Sequence, residues 1–169
     1  EEVQGVLIIG TDYDDVLGFH WDDTASNLRP IDGAPVYALD AQIDGNDGAD
    51  LIYGSDVSET LILETLYGHG GEDTIYGQDG AEISYGGEDN DLLVGGGGGD
   101  LLDGEDGDDH LMGESGDDIL YGGSGRDLLE GGVGNDDLFG EQHRDKLLGE
   151  AGGDLLDGGG GGDILCGGP

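Results

Sequence analysis

Positive charge is what this chain most lacks. Only Arg29, Arg126, Arg144 and Lys146 are basic among 169 residues, against 41 Asp plus Glu, for a formal net charge of −37. Nucleic acid is excluded as a partner, because a phosphate backbone needs cations opposite it. Anionic membrane surfaces are excluded on the same ground unless a metal bridges the two. Cysteine is almost missing as well: Cys166 stands alone, so no intrachain disulfide framework can form. No apolar run approaches the length of a membrane span. Helix is disfavoured over most of the chain, because its 40 glycines oppose it. Composition alone describes a disordered chain, and that is the expectation for the metal-free state.

What is present is a strict period. From Gly68 to Cys166 the sequence repeats every nine residues, eleven times, with a glycine opening each repeat at 68, 77, 86 and onward to 158. The sixth place holds Asp in ten of the eleven, with Glu82 as the exception. The eighth place is Leu or Ile in ten, with Ser84 as the exception. A repeat this short is one supersecondary unit, so stacking decides the architecture. Its first six places are turn chemistry: glycine for left-handed backbone angles, then acidic and polar residues. Its last three read as a very short strand, such as Thr74-Ile75-Tyr76, with the eighth side chain facing inward and its neighbours outward. Two repeats make one coil of 18 residues, and strands of successive coils stack in parallel at ~4.8 Å.

Residues 1–67 read as degenerate opening coils, with an irregular insertion at 19–44, before the eleven tandem repeats of 68–166 and a stub at 167–169. Val6 to Ile9 is a strand and Gly10 to Gly18 a worn repeat. Trp21 is expected to cap the first coil. The period resumes at Gly45 to Tyr53, with Asp50 in the sixth place, as Asp15 is in the worn repeat. A weaker repeat follows at Gly54 to Ile62, with Glu59 at the sixth place and Leu61 at the eighth. Leu63 to Tyr67 then supplies a strand without its glycine turn. The chain opens on Glu1-Glu2 and stops just after a complete repeat, which reads as a segment excised or processed from something longer. Outward places carry Ile83, Leu101, Ile119 and Leu155, with Tyr85, Tyr121 and Phe139 beside them, a surface suited to a partner or a neighbouring copy.

One inward aliphatic per nine residues is a thin core. It cannot by itself offset the entropy of ordering the chain and the mutual repulsion of the carboxylates. A bound cation has to supply the difference. Calcium fits turns rich in carboxylates and flexible carbonyls, since it takes six to eight oxygens in adaptable geometry. Magnesium demands a strict octahedron, and zinc or copper would want His or Cys. The four histidines, His20, His69, His110 and His143, share no repeat place and imply no imidazole site. No nucleophile, base and acid stand together in a recognisable catalytic pattern, so no enzyme is expected in this chain alone.

Gly122-Gly123-Ser124-Gly125-Arg126-Asp127-Leu128-Leu129-Glu130 and Gly131-Gly132-Val133-Gly134-Asn135-Asp136-Asp137-Leu138-Phe139 match the pattern G-G-x-G-x-D-x-U-x in full. The chain resembles an RTX, or haemolysin-type, calcium-binding repeat domain over 68–166, and more loosely over 1–18 and 45–67. The resemblance implies an all-β fold, a right-handed parallel β-roll (a β-solenoid) with calcium in the turns. It implies that sixth-place carboxylates two repeats apart share each ion. One edge would hold Asp73, Asp91, Asp109, Asp127, Asp145 and Asp163, and the other Glu82, Asp100, Asp118, Asp136 and Asp154. Turn carbonyls near Gly95, Gly98, Gly104, Gly107, Gly113, Gly116, Gly122, Gly125, Gly131 and Gly134 would complete the shells. Neighbours along the two rows make nine Ca2+ sites at most, enough to cancel about half of the −37 charge.

Departures from the family pattern mark weaker places. The fourth-place glycine is Asp89 in one turn and His143 in another, which is expected to strain the turn or crowd the ion. Glu82 is one methylene longer than Asp, and Ser84 interrupts the inward row, so that repeat is expected to be a loose seam. The missing turn before Gly68 puts the pairing of Asp15, Asp50 and Glu59 in doubt. The resemblance implies a secreted, extracellular module that folds on calcium after type I secretion. The alternatives are a self-assembling subunit of a filament, surface layer or matrix, and the accessory domain of a secreted enzyme, toxin or adhesin. Expected partners are calcium, further copies of the chain or an adjoining domain.

Overall fold

The structure is a computed structural model that describes residues 6–9, 16–18, 40–54 and 63–169. Every regular element in them is a strand. Two eight-stranded parallel sheets face each other, one of odd-numbered strands from β1 (Val6–Ile9) to β15 (Leu155–Asp157), the other of even-numbered strands from β2 (Val16–Gly18) to β16 (Ile164–Cys166). The chain alternates between the sheets, so each strand of one serves as the crossover for two parallel neighbours of the other. The result is a parallel β-solenoid.

The interior is the eighth-place row. Ile75, Leu93, Leu102, Leu111, Leu120, Leu129, Leu138 and Leu147 are all completely buried, joined by Ile43, Ile52 and Leu66 from the opening coils. The expected inward Leu156 is only packed against this row, and Leu165 is 45 % exposed, both lying on the end strands of their sheets. Strands are longer than the three residues the repeat suggests. β12 runs Leu128–Val133 and β10 His110–Ser115, so pairing continues from the seventh place through the third place of the next repeat. Only the first-place glycine drops out of register, between Met112↔Glu130 and Glu114↔Gly132. Turns are bonded from coil to coil as well: Gly134 N–H donates to Ala151 C=O at 3.0 Å, and Leu128 N–H to Asp109 C=O at 2.9 Å. Backbone polar groups are thus satisfied around nearly the whole coil, which a chain with so little apolar burial requires.

From β5 (Leu63–Gly70) onward the partners in each sheet lie 18 residues apart, as Leu63↔Ala81 shows. Earlier coils are longer. β3 (Asp40–Asp47) pairs with β5 at an offset of 23, and with β1 at 35. Ala41 to Ile43, read from the sequence as either a short strand or a loop at the end of the insertion, lie within β3. Glu59 and Leu61 lie outside the described residues, as do Asp15, Trp21 and His20. The register puts Glu64 opposite Glu82 and Leu66 opposite Ser84. Glu64 and Leu66 thus hold the sixth and eighth places of that coil, positions the sequence reading gave to Glu59 and Leu61. Among the described residues no helix is long and apolar enough to cross a membrane.

Candidate metal centre

The sixth-place residue closes each turn just before its strand, so its side chain points inward like the eighth. Asp73, Glu82, Asp91, Asp100, Asp109, Asp118, Asp127, Asp136 and Asp145 are all buried. Asp154 and Asp163, in the outermost coil, are half-buried. A buried carboxylate without partners is costly, and the coil-to-coil register supplies one partner per rung. The N–H of each sixth-place residue donates to Oδ1 of the sixth-place aspartate in the next coil. The bond measures 2.8 Å from Asp73 to Asp91, 2.9 Å from Glu82 to Asp100, 2.8 Å from Asp91 to Asp109 and 2.9 Å from Asp100 to Asp118. It is 2.9 Å from Asp109 to Asp127, 3.0 Å from Asp118 to Asp136 and 3.0 Å from Asp127 to Asp145. At the outer end, Asp136 reaches Asp154 at 3.2 Å and Asp145 reaches Asp163 at 3.1 Å. Both rows expected from the sequence are therefore continuous. Asp50 N–H also donates to Asp73 Oδ1, at 2.6 Å, so the longer coil before Gly68 does not break the ladder.

The second carboxylate oxygen is different. Oδ2 of Asp73, Asp91, Asp100, Asp109, Asp118 and Asp127 is buried with no hydrogen-bond partner, and so are Oδ2 of Asp136, Asp145 and Asp154 and Oε2 of Glu82. This oxygen lies over the first-place glycine of its own turn, where a backbone carbonyl of the next coil also arrives. A Cβ on Gly131 would stand 2.6 Å from Asp136 Oδ2 and 3.0 Å from Gly149 O. The same triangle joins Asp100 Oδ2, Gly95 and Gly113 O, and Asp118 Oδ2, Gly113 and Gly131 O. Glycine is required there by contact, since any side chain would fill the space. Around the fourth-place glycine, Oδ1 meets the fourth-place carbonyl of the coil before, as Asp136 Oδ1 and Gly116 O do at Gly134. The carbonyls of Gly98 and Gly107 approach Gly116 and Gly125 in the same way, and those of Gly104 and Gly122 approach Gly86 and Gly104. Gly95 O comes to Gly77 beside Glu82 Oε2, and Gly134 O to Gly152 beside Asp154 Oδ1.

An ionised carboxylate oxygen and a carbonyl that converge repel, and a cation between them turns that repulsion into attraction. All the donors are oxygens, a set that suits a hard cation. Among the described residues no three carboxylate, imidazole or thiol side chains converge on one point, so most of any shell would come from carbonyls.

Proton affinities carry the same signature. Burial pushes Asp91 up to about 8, Asp109 and Asp118 to about 7, and Asp73 and Asp127 to about 6. The N–H bond from the preceding coil pulls each of these back, and the carboxylates of adjoining coils push it up again. Glu82 rises to about 9, through burial first and then Asp100 and Glu64. Asp100, Asp136 and Asp145 are also raised, chiefly by burial.

Three features escaped the sequence reading. Glu64, 3 % exposed, belongs to the Glu82 row. The second place is left-handed even where it is not glycine: Glu105, Glu114, Glu141 and Glu150 have φ of 67° to 70°. Asp89 and His143 adopt φ of 79° and 76° at the fourth place, where strain was expected. Finally, fifth-place side chains form an outer ladder, with Asn90 accepting from Asp108 N–H at 2.7 Å and Asp108 from Arg126 N–H at 2.9 Å. Asp117 accepts from Asn135 N–H at 2.8 Å. Asn and Asp recurring at that place were the available signal.

The protein-family model for the RTX calcium-binding nonapeptide repeat (4 copies) matches residues 41–56, 64–93, 85–120, 112–142 and 139–169. A comparison with curated proteins gives no match.

Proposed function

Since the chain belongs to the RTX calcium-binding nonapeptide-repeat family, and is thus a calcium-binding repeat module, we propose that its sixth-place carboxylates hold the ions and that their binding drives folding. The observation that carries this reading is the row of buried oxygens without hydrogen-bond partners, each beside a carbonyl of the next coil. The residues that would hold calcium are Asp73, Asp91, Asp109, Asp127, Asp145 and Asp163 on one edge. Glu82, Asp100, Asp118, Asp136 and Asp154 would do so on the other, with first- and fourth-place carbonyls. Neighbours in these rows make up to nine sites, and the register adds the pairs Asp50–Asp73 and Glu64–Glu82.

When bound, calcium supplies positive charge between acceptors that have no proton to share. The chain's own contribution is to orient Oδ1 through the N–H ladder, to keep the space open with glycine and to exclude water by burial. Binding energy is then folding energy. In a calcium-poor cytoplasm the charge keeps the chain expanded, and in millimolar calcium outside the cell it folds. This is the behaviour of a secreted module exported by a type I route, with no catalytic part for this chain by itself. Circular dichroism tests the reading: coil in chelator and β-structure in millimolar calcium, with little response to magnesium. Equal β-content with and without calcium would overturn it.

A second reading, a self-associating structural subunit, draws on the last coil. Leu155, Ile164 and Leu165 are exposed there on an unpaired sheet edge. Calcium-dependent growth in sedimentation coefficient with concentration would support it, and a monomer at every concentration would favour the lone module.

A further inference from the structure

We propose that the outer face of the odd-numbered sheet docks a partner polypeptide that presents an arginine among apolar residues, with the guanidinium entering between Tyr85 and Tyr121 above Asp103. The proposal rests on the folded roll, and not on which oxygens hold the ions.

The ninth-place side chains of this sheet form one outward row. Its register runs Tyr67↔Tyr85, Tyr85↔Asp103, Tyr121↔Asp103 and Tyr121↔Phe139. Four aromatic rings are thus split into two pairs by a single carboxylate. Tyr67 and Tyr85 stack at 5.1 Å between centroids and 8° between planes, and Tyr121 and Phe139 at 5.1 Å and 14°. Each wall of the gap is therefore a ring backed by a second ring.

Tyr85 and Tyr121 lie two strand spacings apart, about 10 Å. Asp103 is too short to fill that gap to the height of the rings. A cation placed midway lies about 5 Å from each ring, within the reach of a cation–π contact on both sides. A planar guanidinium also offers a fork of donors to the carboxylate at the floor.

Charge and surroundings select the partner. Asp103 is half-buried and accepts Glu105 N–H at 3.2 Å through Oδ1, and no cation pairs with it among the described residues. Beside the row stand half-buried Ile83, Leu101 and Ile119, so an apolar flank is at hand for aliphatic neighbours of the arginine. Asp103 lines a groove together with Asp47, Glu88, Glu105, Asp106 and Glu141, five further carboxylates against the single imidazole of His69, so the field there is negative. A neutral or acidic partner would leave Asp103 desolvated and unpaired, whereas a cationic one compensates it.

The test uses the calcium-saturated full chain, with folding verified by circular dichroism before each titration. The probe is acetyl-Gly-Ile-Arg-Ile-Gly-amide, compared with its citrulline counterpart, which has the same shape and no charge. Salt of roughly 0.3 M suppresses attraction to the acidic surface at large. The arginine peptide is expected to bind about tenfold more tightly than the citrulline peptide and to shift the ring signals of Tyr85 and Tyr121. Asp103→Asn, near-isosteric and outward-facing, should erase the difference. Tyr85→Ala should weaken binding of both peptides, and Glu150→Gln, a carboxylate on the even-numbered sheet, should leave it unchanged. Equal binding of the two peptides, shifts spread over the turns in place of the two rings, or an Asp103→Asn variant that still discriminates would each overturn the proposal. Should Tyr85→Ala fail to fold, Asp103→Asn decides.

Discussion

Asp127 Oδ1 accepts the backbone N–H of Asp109 at 2.9 Å, while Asp127 Oδ2, on the same carboxylate, is buried with no hydrogen bond. One carboxyl group thus serves two neighbours in different ways. Its first oxygen sets the register with the coil before, and its second is left free of that ladder.

That division makes position along the row matter. Asp127 has a carboxylate in the coil on either side, Asp109 and Asp145, whereas Asp163 has only Asp145. Asp127→Ala should therefore lose two bound calcium ions and Asp163→Ala one, measured as stoichiometry by calorimetry. Equal losses would contradict the sharing of ions between coils.

Glycine should matter where it is crowded and not elsewhere. A Cβ at position 131 falls 2.6 Å from Asp136 Oδ2, while one at 162 meets nothing within 4 Å. Gly131→Ala should raise the calcium midpoint of folding severalfold without removing any carboxylate. Gly162→Ala should leave the midpoint within error. Both are read by circular dichroism during a calcium titration.

Acid should have opposite effects with and without metal. Asp91, Asp109 and Asp118 ionise near 8, 7 and 7 in the roll, against about 3.9 in an unfolded chain. A raised folded value means that ionisation penalises the metal-free roll fully above pH 8, and not at all below the unfolded value. Calcium-free protein should accordingly gain β-structure as pH falls from about 8 to about 4. Over the same window protons compete with calcium, so the calcium midpoint should rise. Loss of β-structure on acidifying the metal-free protein would refute the first half.

Among the described residues Ser84 is the one polar rung in the inward row, 1 % exposed, paired with Leu66 and Leu102, and its hydroxyl has no partner. Ser84→Leu should stabilise the calcium-loaded roll by about 2 kcal/mol, seen as a higher Tm. A fall in Tm would mean that the thin core at this coil has no room for the larger side chain.

Period made the inward row and the sixth-place carboxylates legible, because a place that always holds Leu or always holds Asp must face the same way in every coil. It failed at Glu64. There the count from Gly54 points to Glu59, and only the strand register shows that five more residues intervene than in later coils. The Oδ1 ladder was illegible for another reason: sequence shows that Asp73 and Asp91 are related, but not which oxygen is used or for what. The left-handed Glu105 and Glu141 hid because acidic side chains at the second place resemble ordinary turn polarity, and a non-glycine residue gives no sign of a positive φ. Asp103 interrupts the aromatic row only once strands two repeats apart are set side by side.

The coil of 23 residues holds the same rung as a coil of 18. The molecule is therefore a ruler graduated in strands and not in residues. Eight strands per sheet span seven gaps of ~4.8 Å, about 34 Å, whatever the number of residues between one strand and the next. Added residues between Tyr53 and Leu63 therefore leave the strand spacing along the axis unchanged. That joint is where another peptide could be spliced in without changing the spacing between any two carboxylates of a row.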